Sequence, residues 1–209
     1  IGRVGYDTQF FFVYNSNAKE SFFLDEDFDD SSWKSAKVRK VVDYKMVPQA
    51  TKSLVFEEIQ PKLMKTEENR ITIDFGKCYV GYLNVSAQGK ENDMVTIHCG
   101  QELWEDGSVR YQMRCNCNYE EQWMLSGAAD TLNRFDYKAF RYVELVLPEG
   151  CNIEQVSLTA RHYPFELQTK MKEEYKDVPE LQQIWDLCVH SIGYGVQEVI
   201  QDCMEREKG

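Results

Sequence analysis

Basic residues are the first shortage in this 209-residue chain: 24 Lys and Arg against 35 Asp and Glu leave a formal net charge of −11. That balance repels phosphate backbones and anionic lipid surfaces, so neither a nucleic acid nor a membrane is expected as a partner. No run approaches the roughly 18–20 apolar residues of a membrane helix. Only five prolines and three histidines are present. His98, His162 and His190 are too dispersed to form a zinc motif with the cysteines. There is no glycine-rich phosphate loop and no G-x-S-x-G elbow, and no cysteine has a histidine near it in a nucleophile pattern. The cysteine count of seven is odd, which argues against a complete disulfide framework. Reduced, partly buried thiols are expected, and the composition leans towards the cytoplasm without fixing the compartment. Cys115 and Cys117 would share a face on a strand, which suits packing better than metal ligation. No cofactor and no metal site are expected. Residues 25–35 are acidic, but their spacing does not fit an EF-hand, so a solvated loop is expected there.

What is present is strand pattern. Apolar residues make up 43% of the chain and aromatics 13%, enough for a sizeable core. Period-2 or β-branched segments fall at 8–14, 37–44, 70–75, 79–87, 93–99, 108–113, 119–125, 139–147 and 153–162. Ile71, Ile73 and Phe75 share one face, as do Val95, Ile97 and Cys99, and Val143, Leu145 and Leu147. Short turns at 88–90, 105–107, 126–127 and 148–150 separate the segments. The expectation is a mainly β fold, an antiparallel β-sandwich of jelly-roll type.

Near residue 170 the period changes. Asp177 is the expected N-cap, Pro179 opens the first turn, and Leu181, Ile184, Trp185, Cys188 and Ile192 form an apolar stripe ending near Gly193 or Gly195. A lone helix needs tertiary packing. The sequence therefore suggests a piece of a longer protein in which more helices follow. Exposure of that stripe, and a homodimer through it, are expected for the chain alone.

The segment Asp202-Cys203-Met204-Glu205-Arg206-Glu207 is densely charged, and by its charges alone it reads as a solvated tail with an i,i+4 ion pair. It resembles, however, the stretch that opens the catalytic domain of bacterial α-L-rhamnosidases, glycoside hydrolase family 78. Three further stretches are similar to that family in the same order: IDFGKCYVGYLNVSAQG at 73–89, HCGQELWEDGSVRY at 98–111 and FDYKAFRYVEL at 135–145. Cys78, Ala139 and Met204 stand where the family commonly has asparagine, glycine and proline. The resemblance covers roughly residues 30–209. It implies that 1–67 are the tail of a preceding β-sandwich domain and 68–165 a β-sandwich domain. Residues 166–209 would then be the connector and first helix of a truncated (α/α)6 barrel. It further implies cleavage of terminal α-L-rhamnose from glycosides with inversion, and a rhamnose-containing glycoside or oligosaccharide as the parent's substrate. Glu207 would be the general acid, Asp202 would contact the sugar hydroxyls, and Arg206 would orient a neighbouring carboxylate. The general base would lie past Gly209, so the 209-residue chain is expected to be inactive. Asp202 and Glu207 lie about 140° apart on a regular helix, so both reach one sugar only from a loop or a broken helix. Two other readings compete. One is a carbohydrate-binding module using Trp33, Trp104, Tyr111 and Trp123 as stacking platforms; the other is a purely structural interdomain sandwich.

Overall fold

The computed structural model describes residues 2–4, 9–18, 26–40, 43–113, 117–132, 137–164 and 170–196. Among these residues, eleven strands precede one α-helix: β1 (Gly2–Val4), β2 (Gln9–Phe11), β3 (Val13–Asn15), β4 (Val55–Ile59), β5 (Leu63–Glu67), β6 (Arg70–Gln88), β7 (Met94–Gly100), β8 (Glu120–Met124), β9 (Ala129–Thr131), β10 (Lys138–Val146), β11 (Asn152–His162) and α1 (Pro179–Gly195). β1 and β2 form a small ribbon. The other nine strands make one curled sheet in the order β3-β8-β7-β10-β6-β11-β4, with β5 and β9 also paired to β6. The fold is the mainly β sandwich that the patterning predicts, with a single helix at its C-terminal side.

The 19-residue strand β6 organises everything else. Its first part, Arg70–Asp74, pairs with β5 on one side and with the end of β10 on the other. Its second part, Gly81–Gln88, pairs with β11 and, at Ser86–Gln88, with β9. Between them the register with β10 jumps: Asp74 faces Tyr142, while Tyr79 faces Phe140. A bulge absorbs the excess and bends the strand locally. Gly76 sits in it at φ +85°, and its N–H donates to Asp74 Oδ1 at 2.6 Å. Two strands expected at 70–75 and 79–87 are therefore one strand interrupted by that bulge. Further along, a Cβ on Gly81 would lie 2.1 Å from the Thr159 carbonyl oxygen, so close approach of β11 requires glycine there.

The core is built from the alternating faces. Ile71, Ile73, Phe75, Leu83, Val85 and Ala87 of β6 meet Val95, Ile97 and Cys99 of β7 and Val143 and Leu145 of β10, all buried. Each large apolar side chain so buried contributes about 1.5–3 kcal/mol.

Several expectations change. Residues 37–40 and 43–44 form no strand and are exposed, with Val38 at 96%: apolar alternation without a neighbouring strand gives no ladder. Segment 108–113 contributes only isolated bridges, Leu103 with Val109 and Gln112 with Asn118. β4, β5 and β9 were not anticipated; β4 and β5 are mostly exposed edge strands whose side chains carry little alternation. The sandwich is not wholly antiparallel, because β3 runs parallel to β8. Residues 26–35 are an exposed loop with turns, as the acidic composition suggested.

Helix α1 starts with Pro179 at its first position, but its N-cap is Val178, with no capping side chain, in place of Asp177. It ends at Gly195, one of the two glycines expected to stop it.

Candidate functional site

Asp202, Arg206 and Glu207 all lie outside the described residues, as do Cys115 and Cys203. What the structure does describe is how α1, which precedes those three in sequence, is seated on the sandwich. Most of the apolar stripe faces outward, with Trp185 within it half-buried. Leu181, Ile184 and Ile192 are exposed, at 38%, 56% and 56%, and Cys188 is exposed too. The opposite side of the helix packs inwards through Val189, His190, Gly193 and Tyr194, which line a cavity of about 410 Å3 with Lys52, Glu57, His162 and Pro164.

Four rings form the seat. Tyr79, from β6 just past the bulge, meets His190 and Tyr194 edge-on at 5.3 Å each, and His162 at the end of β11 lies 5.2 Å from Tyr194. His190 Nε2 lies 2.5 Å from the Cys78 carbonyl oxygen, so a donor on α1 satisfies a carbonyl at the bulge. His162 Nε2 lies 3.3 Å from Glu57 Oε1. Burial, reinforced by Glu57 and Tyr79, pushes the Tyr194 hydroxyl up from 10.0 to about 12. Its phenol stays protonated in the docked helix at a pH where an undocked phenol ionises. Docking is thus fully supported below pH 10 and loses that support as pH rises from 10 to about 12. Tyr194→Phe should remove this part of the alkaline dependence. The check is a titration of Trp185 fluorescence between pH 9 and 12, in which the wild type changes and the variant lacks the matching component.

The outer face of the sheet carries charge in pairs. His98 on β7 places Nδ1 2.9 Å from Glu144 Oε1 on β10 and Nε2 3.0 Å from Glu120 Oε2 on β8. Tyr111 stacks on its ring at 3.8 Å and 7°, and Arg70 approaches Glu144 at 3.3 Å. Both ring nitrogens face carboxylates, which makes this a clamp across three strands and leaves His98 no open nitrogen for proton transfer. Burial, then Glu120 and Glu144, hold the Tyr111 hydroxyl above its ordinary value. Beside the β6 bulge, Arg141 grips Asp74 through two hydrogen bonds of 2.7 and 2.8 Å, and that guanidinium holds the Asp74 carboxyl below the usual carboxylate value. Inside the sandwich, Lys138 and Glu121 form an ion pair with side chains only 2% and 1% exposed. Among the described residues no group of three or more His, Cys, Asp or Glu side chains is arranged so that it could hold a metal ion.

The aromatics singled out as sugar platforms separate. Trp123 is buried at 1%, and its indole N–H donates to Ser16 Oγ at 2.8 Å. Trp33 is 60% exposed beside Phe28, and Trp104 is 48% exposed with the Arg110 guanidinium 5.1 Å over its ring. Tyr111 is engaged by His98. The clamp, the buried ion pair and the ring cluster were not visible in the sequence, because each joins residues that only strand register brings together.

Residues 64–163 match the family described as bacterial alpha-L-rhamnosidase concanavalin-like domain. No curated protein matches the sequence. Among solved structures, the α-L-rhamnosidase of Dictyoglumus thermophilum superposes with a TM-score of 0.74 at 20% identity, over 94% of this chain and 22% of that one. The Streptomyces avermitilis α-L-rhamnosidase complexed with L-rhamnose gives 0.73 at 20% identity, over 93% of this chain and 19% of the other. The native enzyme of Aspergillus terreus gives 0.72 at 18% identity, over 93% and 23%. The chain spans about a fifth of the length of these structures. The matched sequence lies inside a fold shared over nearly all of the chain: residues 64–163 are similar to the bacterial alpha-L-rhamnosidase concanavalin-like domain, and the chain has the β fold of the corresponding region of these solved structures.

Proposed function

We propose that this chain is part of an inverting glycoside hydrolase that removes terminal α-L-rhamnose from a glycoside or oligosaccharide. The observation that carries the reading is the family match at 64–163, followed in sequence by the D-C-M-E-R-E stretch at 202–207. In this reading, residues 166–209 are the connector and first helix of a helical catalytic domain. The sandwich holds that helix in place through the Tyr79, His162, His190 and Tyr194 seat. In the same reading, residues 1–67 are the tail of a preceding β-sandwich domain and 68–165 the sandwich domain before the helices, with β4 and β5 pairing onto β11 and β6.

Inversion needs two carboxyl groups about 6.5–9.5 Å apart across the sugar, one protonating the leaving oxygen and one activating water. Glu207 serves as the acid, Asp202 binds the rhamnose hydroxyls, and Arg206 fixes the orientation of a neighbouring carboxylate. The base is supplied by residues that follow Gly209 in the longer protein. A lone acid without base or enclosing pocket does not deliver this catalysis, so the 209-residue chain is inactive by itself. Self-association through the exposed stripe of α1 belongs to the same proposal. The test is the stereochemistry of the longer protein, followed by proton NMR during hydrolysis of p-nitrophenyl α-L-rhamnoside. The first sugar released should be the β anomer; release of the α anomer would overturn the inverting mechanism.

A further inference from the structure

A second concavity lies away from α1. It is a groove of about 670 Å3 whose floor is made of the outward-facing residues of three strands: Asn84 and Ser86 of β6, Ser157 of β11 and Thr131 of β9. The β4–β5 connection forms a wall with Gln60, Lys62, Leu63 and Met64, and Glu58, Glu154 and Gln155 complete the rim. The volume is in the range of small-ligand sites, about 300–1,000 Å3. We propose that this groove is a non-catalytic binding site for a neutral saccharide.

The argument is chemical. The floor presents hydroxyl and amide groups, each able to donate and accept, at the spacing of adjacent strands. Asn84 Nδ2 donates to Ser157 Oγ at 3.2 Å and to Thr159 Oγ1 at 2.8 Å, which fixes the amide and leaves its carbonyl Oδ1 as an acceptor. Ser86 Oγ and Thr131 Oγ1 lie 3.4 Å apart, forming a second hydroxyl pair. Gln60 Nε2 is held by Glu58 Oε1 at 2.9 Å, so its carbonyl is a further acceptor. Opposite this polar floor, Leu63 and Met64 are 63% and 46% exposed. A sugar ring has the matching character: hydroxyls on its edges and a C–H face that an aliphatic wall can cover. An anionic ligand is disfavoured because Glu58 and Glu154 outnumber the one lining cation, Lys62, and because the net charge is −11. The shallow, open form and neutral hydrogen bonds point to millimolar affinity, about −4 kcal/mol.

The inference goes beyond the hydrolytic reading and does not depend on Glu207. It is tested on the 15N-labelled 209-residue chain titrated with methyl α-L-rhamnoside, with glucuronate as the anionic control. The expected result is saturable amide shifts confined to Asn84, Ser86, Thr131, Ser157 and 60–64, with Kd of order 1 mM for the rhamnoside and weaker binding of glucuronate. Ser157→Tyr, which fills the floor, should abolish the shifts. Gln60→Ala, an exposed change, should weaken binding severalfold without altering the melting temperature. No saturable shift with the rhamnoside up to about 50 mM would overturn the proposal. So would shifts centred on the Trp104 and Tyr111 loop, or equal binding of glucuronate. Because hydrolysis is assayed separately in the longer protein, loss of either reading leaves the other standing.

Discussion

In the longer protein, Glu207→Gln is expected to lower kcat/KM for an alkyl α-L-rhamnoside by about 10²–10⁴, the range supplied by a positioned general acid. The amide keeps the shape of the carboxyl group but has no transferable proton at its former hydroxyl. An alkoxide is a poor leaving group and needs that proton in the transition state. A p-nitrophenolate leaves readily without it, so the same variant should lose far less activity on p-nitrophenyl α-L-rhamnoside. The contrast between the two leaving groups separates an acid from a residue that merely holds the fold, which would depress both alike. The basic limb of the kcat/KM pH profile should also vanish in the variant, since that limb reports deprotonation of the acid. Equal losses on both substrates, with the basic limb retained, would remove Glu207 from the role of acid.

The second large effect concerns the core. Lys138→Met is expected to destabilise the sandwich by about 3–5 kcal/mol, lowering the melting temperature by roughly 6–20 °C. Lys138 and Glu121 are sealed inside the sandwich, and the Lys138 ammonium also lies 5.7 Å and 5.3 Å from the ring centres of Phe12 and Tyr119. Removing Lys138 takes away a cation that faces the buried Glu121 carboxylate in surroundings that solvate it poorly. The pair itself need not be strongly stabilising, because the desolvation of two ions offsets most of their attraction. The double change Lys138→Met with Glu121→Leu should therefore recover most of the lost stability. Urea unfolding of the two single variants and the double measures this directly. A cost under about 1 kcal/mol for Lys138→Met would show that the pair is hydrated or dispensable.

The same pair illustrates what can be read from a sequence and what cannot. The buried faces of β6, β7 and β10 were legible because period-2 alternation reports burial of one face without knowledge of the partner. Ile73, Ile97 and Leu145, each fully buried, were found in that way. Glu121 and Lys138 were not, because the opposite charge that each meets on the inner face comes from a strand 17 residues away. The division of β6 into two expected strands has a similar origin. Gly76 and the residues beside it look like a turn locally, yet the strand continues through a bulge within the same sheet. β4 and β5 escaped notice because edge strands exposed on both faces have no apolar period. In α1 the apolar stripe was correctly located, but its orientation was not set by hydrophobicity. The inward face is decided by His190, Gly193 and Tyr194, whose partners Cys78 and Tyr79 lie more than a hundred residues earlier in the chain. The candidate catalytic groups Asp202, Arg206 and Glu207 were visible only through motif resemblance, since their charges alone describe a solvated tail.

The most direct measurement is the hydrolysis of p-nitrophenyl α-L-rhamnoside by the 209-residue chain and by the protein that continues past Gly209, assayed side by side. Release of p-nitrophenol by the longer protein alone is the predicted result, with Glu207 of the 166–209 segment as the acid and the residues after Gly209 supplying the base and pocket. Turnover by the 209-residue chain, or none by the longer protein, would contradict it.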